Sequence, residues 1–238
     1  MRWGLLWAWV RLPDLVPGTQ NANLTGDAER MSGKVHEVFE AKSPQDMAAR
    51  YDEWAASYED DLGDHGGPKE AADSVLRYVP KTGRILDAGC GTGLVGRLLS
   101  ERGFVHVEGF DMSKGMLEHA AAKKCYADLH LGVLGEPLAF PTGRFDGIVS
   151  VGVFVRAHAP SRSFHELARI TKPGGHIVFT LRPEFYLATD FKETIAELSD
   201  KGVWRLVETS EPFDGRYTEF PGINLQVWVC EVLARTEN

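Results

Sequence analysis

The run Asp87-Ala88-Gly89-Cys90-Gly91-Thr92-Gly93, preceded by Arg84-Ile85-Leu86, most restricts what this chain can fold into. Three glycines at every second position demand a tight turn. Apolar residues lead into it, and Val95, Leu98 and Leu99 follow at helical spacing, so the unit is strand, glycine turn, helix. Two registers compete. Read from Gly91, the residues spell G-T-G-L-V-G, the dinucleotide fingerprint. Read from Asp87, they spell an acid followed by alternating glycines.

Physical placement separates the two. A fingerprint starting at Gly91 would leave Asp87 inside an apolar strand, where an unpaired carboxylate is costly. In the other register Asp87 ends the strand and Gly89 begins the turn. The carboxylate is then expected in the crevice where open α/β sheets bind ligands, able to attract an ammonium. Gly89, Gly91 and Gly93 let the backbone approach the ligand, and the next helix offers N–H groups. Asp111 closes the following strand, where an acid binds ribose hydroxyls; capping of the helix that begins near Ser113 competes with that role.

Downstream the pattern alternates. Strands are predicted over Arg84–Ala88, Val105–Phe110, His130–Leu134, Phe145–Gly152, His176–Leu181, Val203–Thr209 and Asn224–Leu233. Helices are predicted over Leu94–Arg102, Ser113–Lys124, Ser163–Ile170 and Glu184–Lys201. This predicts a doubly wound α/β domain with a mostly parallel sheet. The last two strands have no helix between them and are expected to pair as an antiparallel hairpin. Upstream, Ser43-Pro44-Gln45-Asp46 reads as a helix start, and Tyr51, Trp54 and Tyr58 share one helical face. Lys69 to Val79 is a second helix.

Bulk properties narrow the class. The net charge is −8 and Lys and Arg form no block, which argues against a broad nucleic-acid face. The three cysteines, Cys90, Cys125 and Cys230, are widely spaced and odd in number, as for reduced thiols in an intracellular, cytoplasmic protein. The apolar run from Leu5 to Val10 is too short to span a bilayer and lacks a clear signal-peptide pattern. Residues 1–42 are expected to be a disordered extension, with residues 1–30 dispensable. Trp3, Trp7 and Trp9 leave a membrane-surface or partner-binding segment as the alternative.

LDAGCGTG, then GFDMSKGML, then RFDGIVSVGVF, then ELARITKPGGHIVFT, in that order, resembles the motif set of the class I S-adenosylmethionine-dependent methyltransferases. YDEWAASY upstream is similar to a methyltransferase-like branch of that family. The resemblance implies a Rossmann-like, seven-stranded sheet over residues 43–238, with N-terminal lid helices over 43–80 and S-adenosylmethionine as cofactor. It also implies contacts. Met112 would pack on the adenine face, Leu134 and Gly135 would meet the adenine edge, and Ser150 and Val151 would lie beneath the methionine portion. Tyr51 and Tyr58 would close over the cofactor as a lid, their hydroxyls toward its carboxylate, while Trp54 packs on the domain.

The chemistry after the fourth strand is read by what stands there. SVGVF replaces the N-P-P-Y type of sequence that amide and exocyclic-amine methylators carry, and no acid suited to a catechol-site metal appears, so no metal is expected. His158, in GVFVRAHAP, is the candidate base for a hydroxyl or thiol; a loop histidine without a catalytic role is the competing reading. His65 and Arg156 are lesser candidates. A small-molecule acceptor is expected, with no nucleic acid and no membrane as partner. A protein-directed enzyme or a non-catalytic cofactor-binding protein is the alternative, and a nicotinamide enzyme is disfavoured by the register of Asp87.

Overall fold

Strand β1 (Arg84–Ala88) occupies the middle of the sheet, and its side chains leave alternately to the two faces. Ile85 packs with Val95, Leu99 and Val107 on one side. Leu86 packs with Phe145, Ile148 and Phe179 on the other. Both are fully buried, as a strand covered on both faces requires. The computed structural model describes residues 33–217 and 222–234.

The sheet runs β3-β2-β1-β4-β5-β8-β6, with the short β7 (Phe213–Asp214) on β8. Here β2 is His106–Asp111, β3 Asp128–Leu131, β4 Phe145–Ser150 and β5 Thr171–Leu181. These pair in parallel with their neighbours. β6 (Trp204–Thr209) and β8 (Asn224–Val232) form the expected antiparallel hairpin, and β8 slots between β5 and β6. The strand order reverses between β1 and β4. That switch point opens a crevice at the carboxyl ends of the strands.

Five helices precede or connect the first strands. They are α1 (Gly33–Phe39), α2 (Pro44–Trp54), α3 (Tyr58–Leu62), α4 (Gly67–Tyr78) and α5 (Leu94–Glu101). α6 (Lys114–Ala122), α7 (Ser163–Ile170), α8 (Pro183–Ala188) and α9 (Phe191–Asp200) follow. Ser43 caps α2 as its sequence suggests, its Oγ accepting from the Asp46 N–H at 3.1 Å, with Pro44 in the first turn.

Three expectations change. The boundary at residue 43 fails because α1 lies before it and buries Val35 and Val38 against Met47, Trp54 and Leu62. Residues 1–32, including the Trp-rich segment, lie outside the described residues. Tyr51 and Tyr58 belong to two helices: the chain turns at Ala55–Ser57, and Trp54 Nε1 donates to Asp61 Oδ2 at 2.7 Å across the break. The helix predicted over 184–201 is α8 and α9, parted at Thr189-Asp190, where Asp190 turns its carboxylate to the Ser161 hydroxyl at 2.7 Å.

Candidate functional site

The turn after β1 is built for close approach. Gly89 and Gly91 both hold left-handed backbone, with φ of 78° and 53°. A Cβ on Gly89 would lie 2.3 Å from Val153 Cγ2, whereas one on Gly91 would meet nothing within 4 Å. Gly89 therefore packs the turn against the loop after β4, and Gly91 leaves open floor. Above this floor lies a cleft of about 480 Å³.

Asp111, the last residue of β2, faces the cleft while only 9 % exposed. Its two oxygens accept the Gly91 and Ser113 N–H groups at 2.8 and 2.9 Å. Burial pushes its pKa up, and those backbone donors pull it down. Each carboxylate oxygen has a second lone pair. A vicinal diol arriving from the cleft would bring the two donors that fill them, so the acid fits a ribose. The Ser113 hydroxyl caps α6 by accepting from Met116 N–H at 3.0 Å, so capping falls to Ser113 and Asp111 is left to the cleft. Asp52 of α2 binds the same corner, its Oδ1 accepting the Ser113 hydroxyl at 2.6 Å and the Gly115 N–H at 2.8 Å.

Of the residues singled out from sequence, Tyr51, Tyr58, Gly89, Gly91, Asp111, Met112, Leu134, Val151 and His158 come together on the cleft wall. Of the expected cofactor contacts, four do not reach it. Asp87 is 1 % exposed, a correction to the expected crevice carboxylate. The two-residue period of β1 puts it on the face of Ile85, where the Tyr126 hydroxyl donates to its Oδ2 at 2.6 Å. Burial raises its pKa to about 7. Gly93 instead lets α5 approach α6, since a Cβ there would sit 3.2 Å from Ala120 Cα. Ser150 is buried and ties β4 to β1 by donating to the Ala88 carbonyl at 2.7 Å. Gly135 backs the rim, where its carbonyl accepts from Arg162 Nε at 3.2 Å.

His158 and Tyr51 meet on the cleft wall. His158 Nδ1 lies 2.8 Å from the Arg156 carbonyl, which can only accept, so Nδ1 carries a proton. In the neutral ring Nε2 is then the acceptor, and it receives the Tyr51 hydroxyl at 2.7 Å. Burial lowers the His158 pKa and raises that of Tyr51 well above its ordinary value, so both are neutral at pH 7. The loop that aims His158 is strained: Ala157 holds φ of 64°, a conformation a non-glycine residue adopts at a cost of about 1–3 kcal/mol.

Tyr51, Tyr58, Val151, Gly152 and His158 also line a second, inner chamber of about 130 Å³. Aromatic rings of Phe39, Trp54, Phe154, Phe185 and Tyr217 wall it, and Arg156, Arg182 and His65 supply its polar edge. Sequence reading missed Tyr217, Arg182 and Asp52. The first two come from turns around the antiparallel end of the sheet, with no motif to mark them, and Asp52 sits on the outer side of a helix read only for its aromatic face.

A family model described as methyltransferase domain matches residues 86–179. Methyltransferase-like protein 27 of Homo sapiens is 36 % identical over 163 residues, 65 % of this chain and 66 % of that protein. Ubiquinone biosynthesis O-methyltransferase of Alkalilimnicola ehrlichii is 34 % identical, over 50 % of this chain and 51 % of its own. The 18S rRNA (guanine-N(7))-methyltransferase of Bos taurus is 33 % identical, over 42 % and 39 %. The chain thus spans about two thirds or less of the length of these relatives. Among solved structures, a TehB-like SAM-dependent methyltransferase from Corynebacterium glutamicum superposes with a TM-score of 0.53 at 22 % identity, covering 79 % of this chain and 97 % of that one.

Proposed function

The chain belongs to the class I S-adenosylmethionine-dependent methyltransferases, and from that premise we propose that it is an active enzyme methylating a small-molecule acceptor. The observation that carries this reading is the inner chamber. It is lined by aromatic rings and shares Tyr51, Tyr58, Val151, Gly152 and His158 with the cleft. A space of about 130 Å³ suits a small molecule. The net charge of −8 also speaks against an RNA acceptor, the substrate named for one relative.

In this reading the cleft holds the cofactor. Asp111 takes the ribose hydroxyls, Gly89 and Gly91 present bare backbone, and Met112 and Leu134 flank the adenine. Val151, Tyr51 and Tyr58 surround the methionine end. Gly93, Ser150, Gly135 and Asp87 support this wall from behind. When bound, S-adenosylmethionine supplies an electrophilic sulfonium methyl that a lone pair of the acceptor takes, leaving the thioether. The chain's part is to orient the acceptor, exclude water and remove its proton. The acceptor hydroxyl donates to Tyr51, whose own proton passes to His158 Nε2. The neutral, buried pair stores no charge until the proton moves. A cytoplasmic setting belongs to the same reading, in keeping with the free cysteines Cys90, Cys125 and Cys230.

The test is a metabolite extract incubated with the protein and methyl-labelled cofactor, read by mass spectrometry. Label should enter a small molecule in a time- and protein-dependent manner. Label entering only protein or RNA fractions would move the acceptor class, and binding without any transfer would leave a cofactor-binding protein.

A further inference from the structure

The inner chamber carries more information than its size, because its polar edge offers no free charge. Among the described residues that line it there is no Asp or Glu, and its two arginines are both engaged elsewhere. Arg182 gives Nε and Nη2 to Glu184 Oε1, at 2.8 and 2.5 Å, and Arg156 and Arg182 each carry further interactions. Burial lowers the pKa of His65 and His158 and raises that of Tyr51, Tyr58 and Tyr217, so the titrating rings of this wall are neutral at pH 7. The walls are flat. Tyr51 lies within 12° of parallel to Trp54 with centroids 6.0 Å apart, and His65 stacks on Tyr217 at 5.3 Å. One directed polar contact stands on the side shared with the cleft. Tyr51 gives its proton to His158 Nε2 at 2.7 Å, which leaves the lone pairs of its oxygen to accept. Gly152 belongs to the same shared wall, and a Cβ there would meet nothing within 4 Å, so no side chain blocks the way from chamber to cleft at that point.

We propose that this chamber takes an uncharged, single-ring phenol as acceptor, its ring among the aromatic walls and its hydroxyl toward Tyr51 on the wall shared with the cleft. The volume of about 130 Å³ sets the ring count, because a cavity of about 150 Å³ is what holds one benzene. Desolvation sets the charge. A carboxylate or ammonium that leaves water needs a counter-charge inside, and the chamber keeps none free for it. A neutral phenol has no such need: its ring packs edge to face or offset on the flat walls, and its one hydroxyl donates to Tyr51. Methylation forms an O–CH3 bond as the sulfonium C–S bond breaks. The phenol proton goes to Tyr51, the Tyr51 proton goes to His158 Nε2, and the imidazolium then releases it to water. The ether product is as uncharged as the phenol. This inference rests on the methyltransferase reading and names the acceptor class within it.

Calorimetry on the protein saturated with S-adenosylhomocysteine tests it, with 4-methylphenol, 4-hydroxybenzoate, tyramine and 2-naphthol as probes. The methylphenol should bind at least tenfold tighter than the anion, the cation and the two-ring phenol. Val155 lines the chamber and not the cleft, so Val155→Phe should abolish methylphenol binding while S-adenosylhomocysteine affinity stays within twofold. If Val155→Phe fails to fold, Phe39→Ala decides: it enlarges the same chamber and should bring 2-naphthol to within threefold of the methylphenol. Equal or tighter binding of the benzoate, of tyramine or of 2-naphthol to the wild type overturns the proposal. So does methylphenol affinity that survives Val155→Phe, or an unchanged 2-naphthol affinity in Phe39→Ala where that variant decides. Failure of the methylphenol to bind while S-adenosylhomocysteine binds also overturns it and leaves the methyltransferase reading standing. Failure of S-adenosylhomocysteine itself would instead count against that reading.

Discussion

Tyr51 and His158 stand 107 positions apart and meet hydroxyl to Nε2 at 2.7 Å, on the wall that the cleft and the inner chamber share. The Arg156 carbonyl fixes the other ring nitrogen as donor, so this contact has one direction. His158→Gln is expected to lower kcat by about 10²–10⁴-fold, the usual contribution of a positioned base, with cofactor affinity unchanged. Tyr51→Phe should lower kcat less. Burial lowers the His158 pKa below 6.5, so the base stays neutral through neutral pH. Activity should fall only as the pH drops below that value. A kcat profile whose acid limb lies above pH 7 would exclude His158 as the base.

Asp111 is the acid whose position sequence and structure both put at the end of β2. Asp111→Ala removes charge-assisted hydrogen bonds worth about 1.5–3 kcal/mol. S-adenosylhomocysteine should therefore bind roughly tenfold to 150-fold more weakly by calorimetry. An unchanged Kd would take the ribose away from this residue.

Asp87 titrates in the opposite sense from a salt-bridged acid. Its folded pKa is raised to about 7, so the folded state holds a proton that the unfolded chain gives up. The associated stability is complete below pH 3.8 and is lost as pH rises through 7. Asp87→Asn can still accept the Tyr126 hydroxyl and has no charge to bury. It should raise the melting temperature at pH 8 by several degrees and leave it unchanged near pH 4. The same variant measures any role in holding the cofactor's ammonium, since a weakened S-adenosylhomocysteine Kd at pH 8 would assign one.

The legible parts of this molecule are those with a period. Alternating apolar strands and helices place β1, β2 and β4 correctly, and the glycine turn with Asp111 locates the cleft. The illegible parts depend on contacts between distant segments. Nothing near Asp87 announces that Tyr126 will turn its hydroxyl to it, because that pairing arises only when α5, α6 and the sheet pack together. The split between α2 and α3 was hidden because Tyr51, Trp54 and Tyr58 keep helical spacing across it. Asp52 escaped for a similar reason: its partners Ser113 and Gly115 lie 61 and 63 residues away. That link bears on the proposed lid, since it fastens α2 to the helix that follows Asp111. Asp52→Ala should speed hydrogen exchange across residues 45–62 in the free protein and weaken S-adenosylhomocysteine, with the ligand restoring protection. Equal exchange with and without ligand would make α2 part of the static core.

The helix at Gly33–Phe39 is the last point at which sequence and structure part, and it yields a truncation test. Val35 and Val38 are 3 % and 1 % exposed, although no long apolar pattern surrounds them. Burying each contributes about 1.5–3 kcal/mol, against the backbone entropy of ordering a short helix. A chain beginning at Met31 should keep its melting temperature, whereas one beginning at Ser43 should melt several degrees lower. The shorter chain also loses Val35, Val38 and Phe39 from the chamber wall, and Phe39 packs on the His158 ring at 5.2 Å. Its kcat should therefore drop more than its cofactor affinity. If both chains melt together and turn over equally, the helix is an appendage and the chamber closes without it.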